Sequence, residues 1–345
     1  MNSKERVLRS IRHQEVDRIP CFYLGKTDIN KALAGRFNIP QDQSESLLQR
    51  LAVDVRFTGP RIIQVPGEHR YGFSCGSIHS VLYNEPGAAN IELKYPLEDV
   101  NTVDDLNKWC WPDPDWFDYK INEDSVKAWQ DKAIVAYDMG IIFLYSMGIR
   151  GMEQIMMDMA GEPEMAHAIF KKIADFNLER IRRFIEANPN VIDIMGIGDD
   201  IAGQTGLFFS IDMWREFLKP HLQRMINLCN DYGVIPYFHG CGGFSALYKD
   251  FIEMGVTCTG RLQTEAKGNN FSEIKKEHGK DLCLWGAIDG QHIVIEKSPE
   301  HVREHVKELI RNNFDNTGYV AGPTHSFTED TPIENIIAVY DFLKG

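Results

Sequence analysis

Eight short apolar runs alternate with stretches of helical periodicity along this 345-residue chain, near residues 19–24, 53–57, 133–137, 191–195, 234–238, 256–259, 282–285 and 319–321. No other feature limits the fold as much. A strand, a helix and a second strand in succession make parallel neighbours, and repeated units of this kind build either a doubly wound sheet or a barrel. The doubly wound dinucleotide-binding form carries a Gly-x-Gly-x-x-Gly turn after its first strand, and none occurs here. The sequence therefore predicts an α/β fold, a (β/α)8 TIM barrel.

Several helix starts are written into the chain. Ser298-Pro-Glu offers a hydroxyl cap, a proline at the first helical position and an early acid. Thr331-Pro-Ile-Glu334 has the spacing of a capping box. The alternation fails only over 59–132, which holds short alternating runs at 80–83 and 91–95 and a cluster, Trp109-Cys-Trp-Pro-Asp-Pro-Asp-Trp116. So long a stretch is unlike a bare loop. It predicts a small subdomain with an antiparallel ribbon, inserted after the second run and lying over or beside a single barrel domain of residues 1–345. The tryptophans read as core cover before they read as a ligand box.

Charge and cysteine content narrow the function. A formal net charge of −13 argues against nucleic acid, which needs a basic face. No segment has the apolar length to span a membrane. Seven cysteines without a Cys-x-x-Cys pair suggest reduced thiols, and the charged, helix-like start is unlike a signal peptide, so a cytoplasmic protein is expected.

In a barrel of this kind chemistry gathers at the carboxyl ends of the strands. Those ends carry Lys26 and Asp28; Tyr137 and Asp138; Asp199, Asp200 and Gln204; His239 and Cys241; Arg261, Gln263 and Glu265; Asp289 and Gln291; and His325. His239-Gly-Cys241 stands out, because an imidazole and a thiol two residues apart share one side of an extended segment and suit Zn²⁺. His325, in Gly322-Pro-Thr-His325, is a third candidate ligand from the last run. Such a pair alone is a weak signal, since cysteine often serves as a small buried hydrophobe. Cys258 and Cys283 lie inside runs and read as core. His292, His301 and His305 read as solvated, and Asp199, Asp200 or Asp289 could each simply fix a turn.

Nearly the whole chain resembles the uroporphyrinogen decarboxylase-like superfamily. The resemblance is carried by Glu5-Arg-Val-Leu8, His13-Gln-Glu-Val-Asp-Arg-Ile-Pro20, Arg150-Gly-Met-Glu153, Gly198-Asp-Asp-Ile-Ala-Gly-Gln-Thr-Gly206, Trp285-Gly-Ala-Ile-Asp-Gly-Gln291 and Thr331-Pro-Ile-Glu-Asn335. It implies a (β/α)8 barrel. Porphyrinogen decarboxylases of that family carry an Arg-Gln-Ala-Gly-Arg run after the first strand, where this chain has Leu24-Gly-Lys-Thr-Asp28. The cobalamin-dependent methyltransferase branch carries His-x-Cys after the fifth strand. Its third zinc ligand, usually Cys, lies seven residues before the proline of Thr-Pro-x-Glu-Asn; that position here is His325. The resemblance thus implies Zn²⁺ on His239, Cys241 and His325, with a fourth position open to substrate.

The activity it implies is transfer of a methyl group between a small methylated substrate, such as a methoxyarene or a methylamine, and the cobalamin of a separate corrinoid protein. No Asp-x-His-x-x-Gly cobalamin motif is present, which assigns the cofactor to the partner. In that setting Asp199, Asp200 or Asp289 would handle a proton or orient a ligand, and Tyr137, Gln204 and Gln263 would contact substrate. Homodimer formation stays open. The alternatives are a cofactor-independent decarboxylase anchoring carboxylates on Lys26, Arg56 or Arg261, and a binding barrel without catalysis.

Overall fold

The computed structural model describes residues 1–63, 95–137 and 139–344. Seven parallel strands form its main sheet in chain order. They are β1 (Val55–Thr58), β2 (Ala133–Ala136), β3 (Ile194–Ile197), β4 (Ile235–His239), β5 (Cys258–Leu262), β6 (Cys283–Ile288) and β7 (Tyr319–Pro323). The pairing sets Val55 opposite Ala133, Ile194 opposite Ile235 and Cys258 opposite Cys283. Sequential parallel pairing requires crossovers of one hand, and these curl the sheet in one direction. The fold is α/β and TIM-barrel-like.

Expectation and structure differ at the first run. Residues 19–24 form no strand and make only isolated bridges, Cys21 with Ala321 and Gly25 with Phe327. They still touch both ends of the sheet. Phe22 N donates to Ala321 O at 3.0 Å, and Asp54 N, just before β1, donates to Cys21 O at 2.9 Å. Pro20 has no amide hydrogen to give, which shortens any ladder there. The other seven runs are strands, several displaced one to three residues toward the carboxyl end.

Alternation along the strands produces two cores. One face contributes Val55, Val135, Ile194, Tyr237, Cys258, Cys283, Trp285 and Val320 to an inner cluster with Phe22. Trp285 packs 5.7 Å from Phe22 and 4.9 Å from Tyr237, ring centre to ring centre. Val7 and Ile11 of the helix Ser3–Ile11 join the same cluster. The other face packs against the outer helices in a larger cluster that includes Ala136, Met195, Phe238 and Leu284 of the strands. Cys258 and Cys283 are core, as expected.

Of the 59–132 stretch, Arg61–Ile62 pairs antiparallel with Phe117–Asp118. The alternating run at 80–83, and all of the run at 91–95 but Tyr95, lie outside the described residues. Arg150 joins this stretch to the body of the fold: its guanidinium donates to Asp158 at 2.8 Å and to Val100 O at 2.6 Å. Trp109 and Trp111 meet edge to face at 4.7 Å and pack on the main core.

The Thr331 capping box does not form. The helix Ile333–Leu343 starts after Pro332 without a side-chain cap. Thr331 Oγ1 accepts from Thr328 N instead, closing the preceding turn. Ser298 does cap the helix Pro299–Asn313. Among the described residues, no helix is long and apolar enough to cross a membrane.

Candidate functional site

The carboxyl ends of the strands open onto a cavity of about 1010 Å³. Tyr137, Asp199, Asp200, Gln204, His239, Cys241, Gln263 and His325 all line it, beside Lys26 and Arg261. Ile141, Leu144, Met147 and Phe208 supply an apolar wall. Asp289 is not part of this lining. Its Oδ1 accepts from the amides of Gln291 and His292 at 2.8 Å each, the turn-fixing role open to it from sequence.

One group of candidate donors converges. Single ligand atoms of Asp200, His239 and Cys241 lie within 4.8 Å of one another. His325 faces the same cavity outside that trio. The trio is assembled by backbone contact between the ends of β3 and β4. Asp199 N donates to His239 O at 2.8 Å, and Asp200 Oδ1 accepts from Cys241 N at 2.8 Å. Gly198 makes this approach: at φ 140°, a Cβ there would lie 2.0 Å from His239 O. On the other side, Gln263 Oε1 accepts from Gly242 N at 2.7 Å, and Asn269 donates to Gly242 O. Gln263 thus holds the Cys241 loop.

Asp199 points away from the trio. Its carboxyl accepts from Ile142 N at 2.9 Å, Leu144 N at 2.8 Å and Phe143 N, the amides that open the helix Phe143–Arg150. Burial pushes it up to about 7 against the downward pull of those three amides. Adjacent residues of an extended segment face opposite ways, so one aspartate anchors a helix and the other looks into the cavity.

His239 is gripped at both ring nitrogens by consecutive residues of β5. Nδ1 lies 3.0 Å from Gly260 O, and Nε2 lies 2.5 Å from Arg261 Nη2. A guanidinium can only donate, so Nε2 is an acceptor, while Nδ1 sits between the Gly260 carbonyl and the Arg261 amide, which points at it from 3.2 Å. Burial, then the Arg261 charge, hold the imidazole well below its usual range and therefore neutral. His325 keeps an accessible edge toward the cavity. The protein around it, then Arg261, lower its pKa, while Asp200 raises it.

A family profile for uroporphyrinogen decarboxylase (URO-D) matches residues 136–345, well over half of the chain. The chain belongs to the URO-D family. It is 23% identical over 187 residues to the uroporphyrinogen decarboxylase of Chlorobaculum tepidum, covering 53% of this chain and 50% of that one. The Chlorobaculum parvum enzyme is 22% identical over 187 residues, with the same coverage. The chain thus spans about half the length of the relatives it matches. Among solved structures, a methyltransferase from Methanosarcina mazei superposes with a TM-score of 0.65 at 14% identity, covering 100% of this chain and 98% of that one. That likeness is one of fold.

Within this URO-D family member, two features escaped the sequence. Arg56, a candidate carboxylate anchor, is buried under Glu45, which it meets at 2.7 Å, and does not line the cavity. His305 is half-buried with its Nε2 unpartnered, unlike a solvated surface histidine. For the grip on His239 the only sequence signal is that Arg261 and His239 end neighbouring runs. Spacing does not say that one reaches the other.

Proposed function

We propose that this chain is a metal-dependent methyltransferase that moves a methyl group between a small methylated substrate and the cobalamin of a separate corrinoid protein. The convergence of Asp200, His239 and Cys241 within 4.8 Å on a cavity of about 1010 Å³ carries this reading. Their donor chemistry fits Zn²⁺, with one nitrogen, one sulfur and one carboxylate oxygen. The imidazole is neutral, and its Nδ1 lies 3.0 Å from a backbone carbonyl, a partner that zinc histidines commonly have. When bound, the ion would supply Lewis acidity at a substrate heteroatom. The solved structure of like fold described as a methyltransferase agrees with this chemistry.

The remaining residues divide the work. Gln263 and Gly198 keep the Cys241 loop against the end of β3. Ile141, Leu144, Met147 and Phe208 exclude water from the methyl group. Tyr137 and Gln204 contact the polar part of the substrate, and the partner docks over the cavity mouth. Residues 20–22 act as the eighth stave of a closed (β/α)8 barrel.

Elemental analysis of the full chain is expected to find about one zinc per chain. Cys241→Ala should lose it and lose methylation of a reduced corrinoid protein, read from the corrinoid spectrum, while melting like the parent. Zinc content of Asp200→Ala and His325→Ala variants identifies the third ligand. Absence of zinc after reconstitution, or release of CO₂ from a carboxylic acid without cobalamin, would overturn the reading in favour of a decarboxylase.

A further inference from the structure

We propose that Arg261 is a plug on the metal position: its guanidinium and the metal compete for the one lone pair on His239 Nε2, and metal loading displaces it. This rests on the metal reading above.

The geometry makes the two states exclusive. Nδ1 is enclosed by backbone, 3.0 Å from Gly260 O and 3.2 Å from Arg261 N, which leaves Nε2 as the ring nitrogen an ion would use. Arg261 Nη2 holds that nitrogen at 2.5 Å and also donates to Tyr137 Oη. An imidazole nitrogen has one in-plane lone pair and cannot serve both an N–H and a metal. The plug is held on two sides: the guanidinium carbon lies 5.4 Å from the centre of the Tyr137 ring, and the Tyr137 and His239 rings are 5.8 Å apart. Arg261 itself is buried, so it does not trade this contact for open water.

The same contact prepares the ligand it blocks. By donating to Nε2, the guanidinium keeps a lone pair rather than a hydrogen on that nitrogen, which a metal there needs. Its positive charge at that distance also disfavours a second positive charge on the ring. Arg261 is therefore a positioning residue that sets metal affinity and ligand readiness together.

The test is zinc affinity, measured by chelator competition on the full-length parent, Arg261→Met and Tyr137→Phe. A hydrogen bond from a charged donor is strong enough that removing it should tighten zinc binding about 10- to 100-fold in Arg261→Met. Loss of a neighbouring positive charge would also tighten binding there. Tyr137→Phe separates the two, because it keeps the charge and removes only a support of the plug; it should tighten binding about threefold. A zinc-loaded crystal structure should show Arg261 Nη2 out of hydrogen-bond range of His239 Nε2.

If Arg261→Met fails to fold, Tyr137→Phe and the loaded structure decide. Zinc binding in the parent with no tightening in Tyr137→Phe overturns the plug and leaves the metal reading intact, as does a loaded structure that retains the contact. Zinc binding by none of the three proteins overturns both.

Discussion

Replacing Glu265 with Gln should stabilise the protein, and only above neutral pH. Glu265 lies beyond the end of β5, outside the cavity lining, with Oε1 accepting from Thr324 Oγ1 at 3.0 Å. Its neighbour is the Asp289 carboxyl. Burial first, then Asp289, push Glu265 up from 4.5 to about 7. Two carboxylates in contact do not ionise together without cost. In the unfolded chain Glu265 ionises near 4.5, so between that pH and about 7 the native state binds more protons than the unfolded one. Stability from this group is therefore present below pH 4.5 and is lost as pH rises through 7.

The full difference corresponds to about 3 kcal/mol. Glu265 is half-buried, and solvent screening reduces this to about 1–2 kcal/mol. Glutamine keeps an acceptor for Thr324 and offers Asp289 an N–H in place of a charge. Urea unfolding of parent and Glu265→Gln at pH 5 and pH 8 should show a gain of about 1–2 kcal/mol at pH 8 and much less at pH 5. A variant equally stabilised at both pH values, or destabilised at pH 8, would refute the shared-proton account of the pair. Loss of the proposed methyl transfer with stability unchanged would return Asp289 to the catalytic role suggested by sequence.

Gly198→Ala places a Cβ 2.0 Å from His239 O and, on the zinc reading proposed above, should abolish zinc retention, checked by elemental analysis beside far-UV circular dichroism; normal zinc content would mean that the two strand ends can separate without losing the site. Asp54→Ala removes the fully buried acceptor of Arg6, Arg18 and the Cys21 amide. Arg6 keeps Asp17, but Arg18 loses the carboxylate it pairs with and a buried acceptor is gone, which should cost about 3–5 kcal/mol by urea unfolding, against about 1 kcal/mol or less for the more exposed Asp17→Ala; equal losses would show that Asp54 does not fasten residues 20–22 to β1.

The strands were legible because a parallel strand covered on both sides must be apolar along its length, and such runs are conspicuous at 133–137 or 282–285. Their ends were less so. Gly196, Ile197 and Gly286 continue strands past the apolar runs, since a backbone ladder needs no side-chain hydrophobicity to add another hydrogen bond. The first run failed as a strand for a backbone reason as well, the missing amide of Pro20. The Thr331 box failed because a nearer donor, the Thr328 amide, took its hydroxyl.

The candidate site was legible where chemistry and periodicity coincide and not where register decides. His239 and Cys241 share a face because they are two apart. Asp199 and Asp200, one apart, had to divide, yet nothing in the sequence says which of them meets the amides of Ile142, Phe143 and Leu144 and which meets Cys241. That choice is set by Gly198, whose missing Cβ lets the end of β3 lie against His239 O and turns Asp200 toward the thiol. Shifting that contact by one residue would exchange the helix anchor and the candidate ligand. The backbone at Gly198, as much as the side chains themselves, brings the three candidate donors together at this strand end.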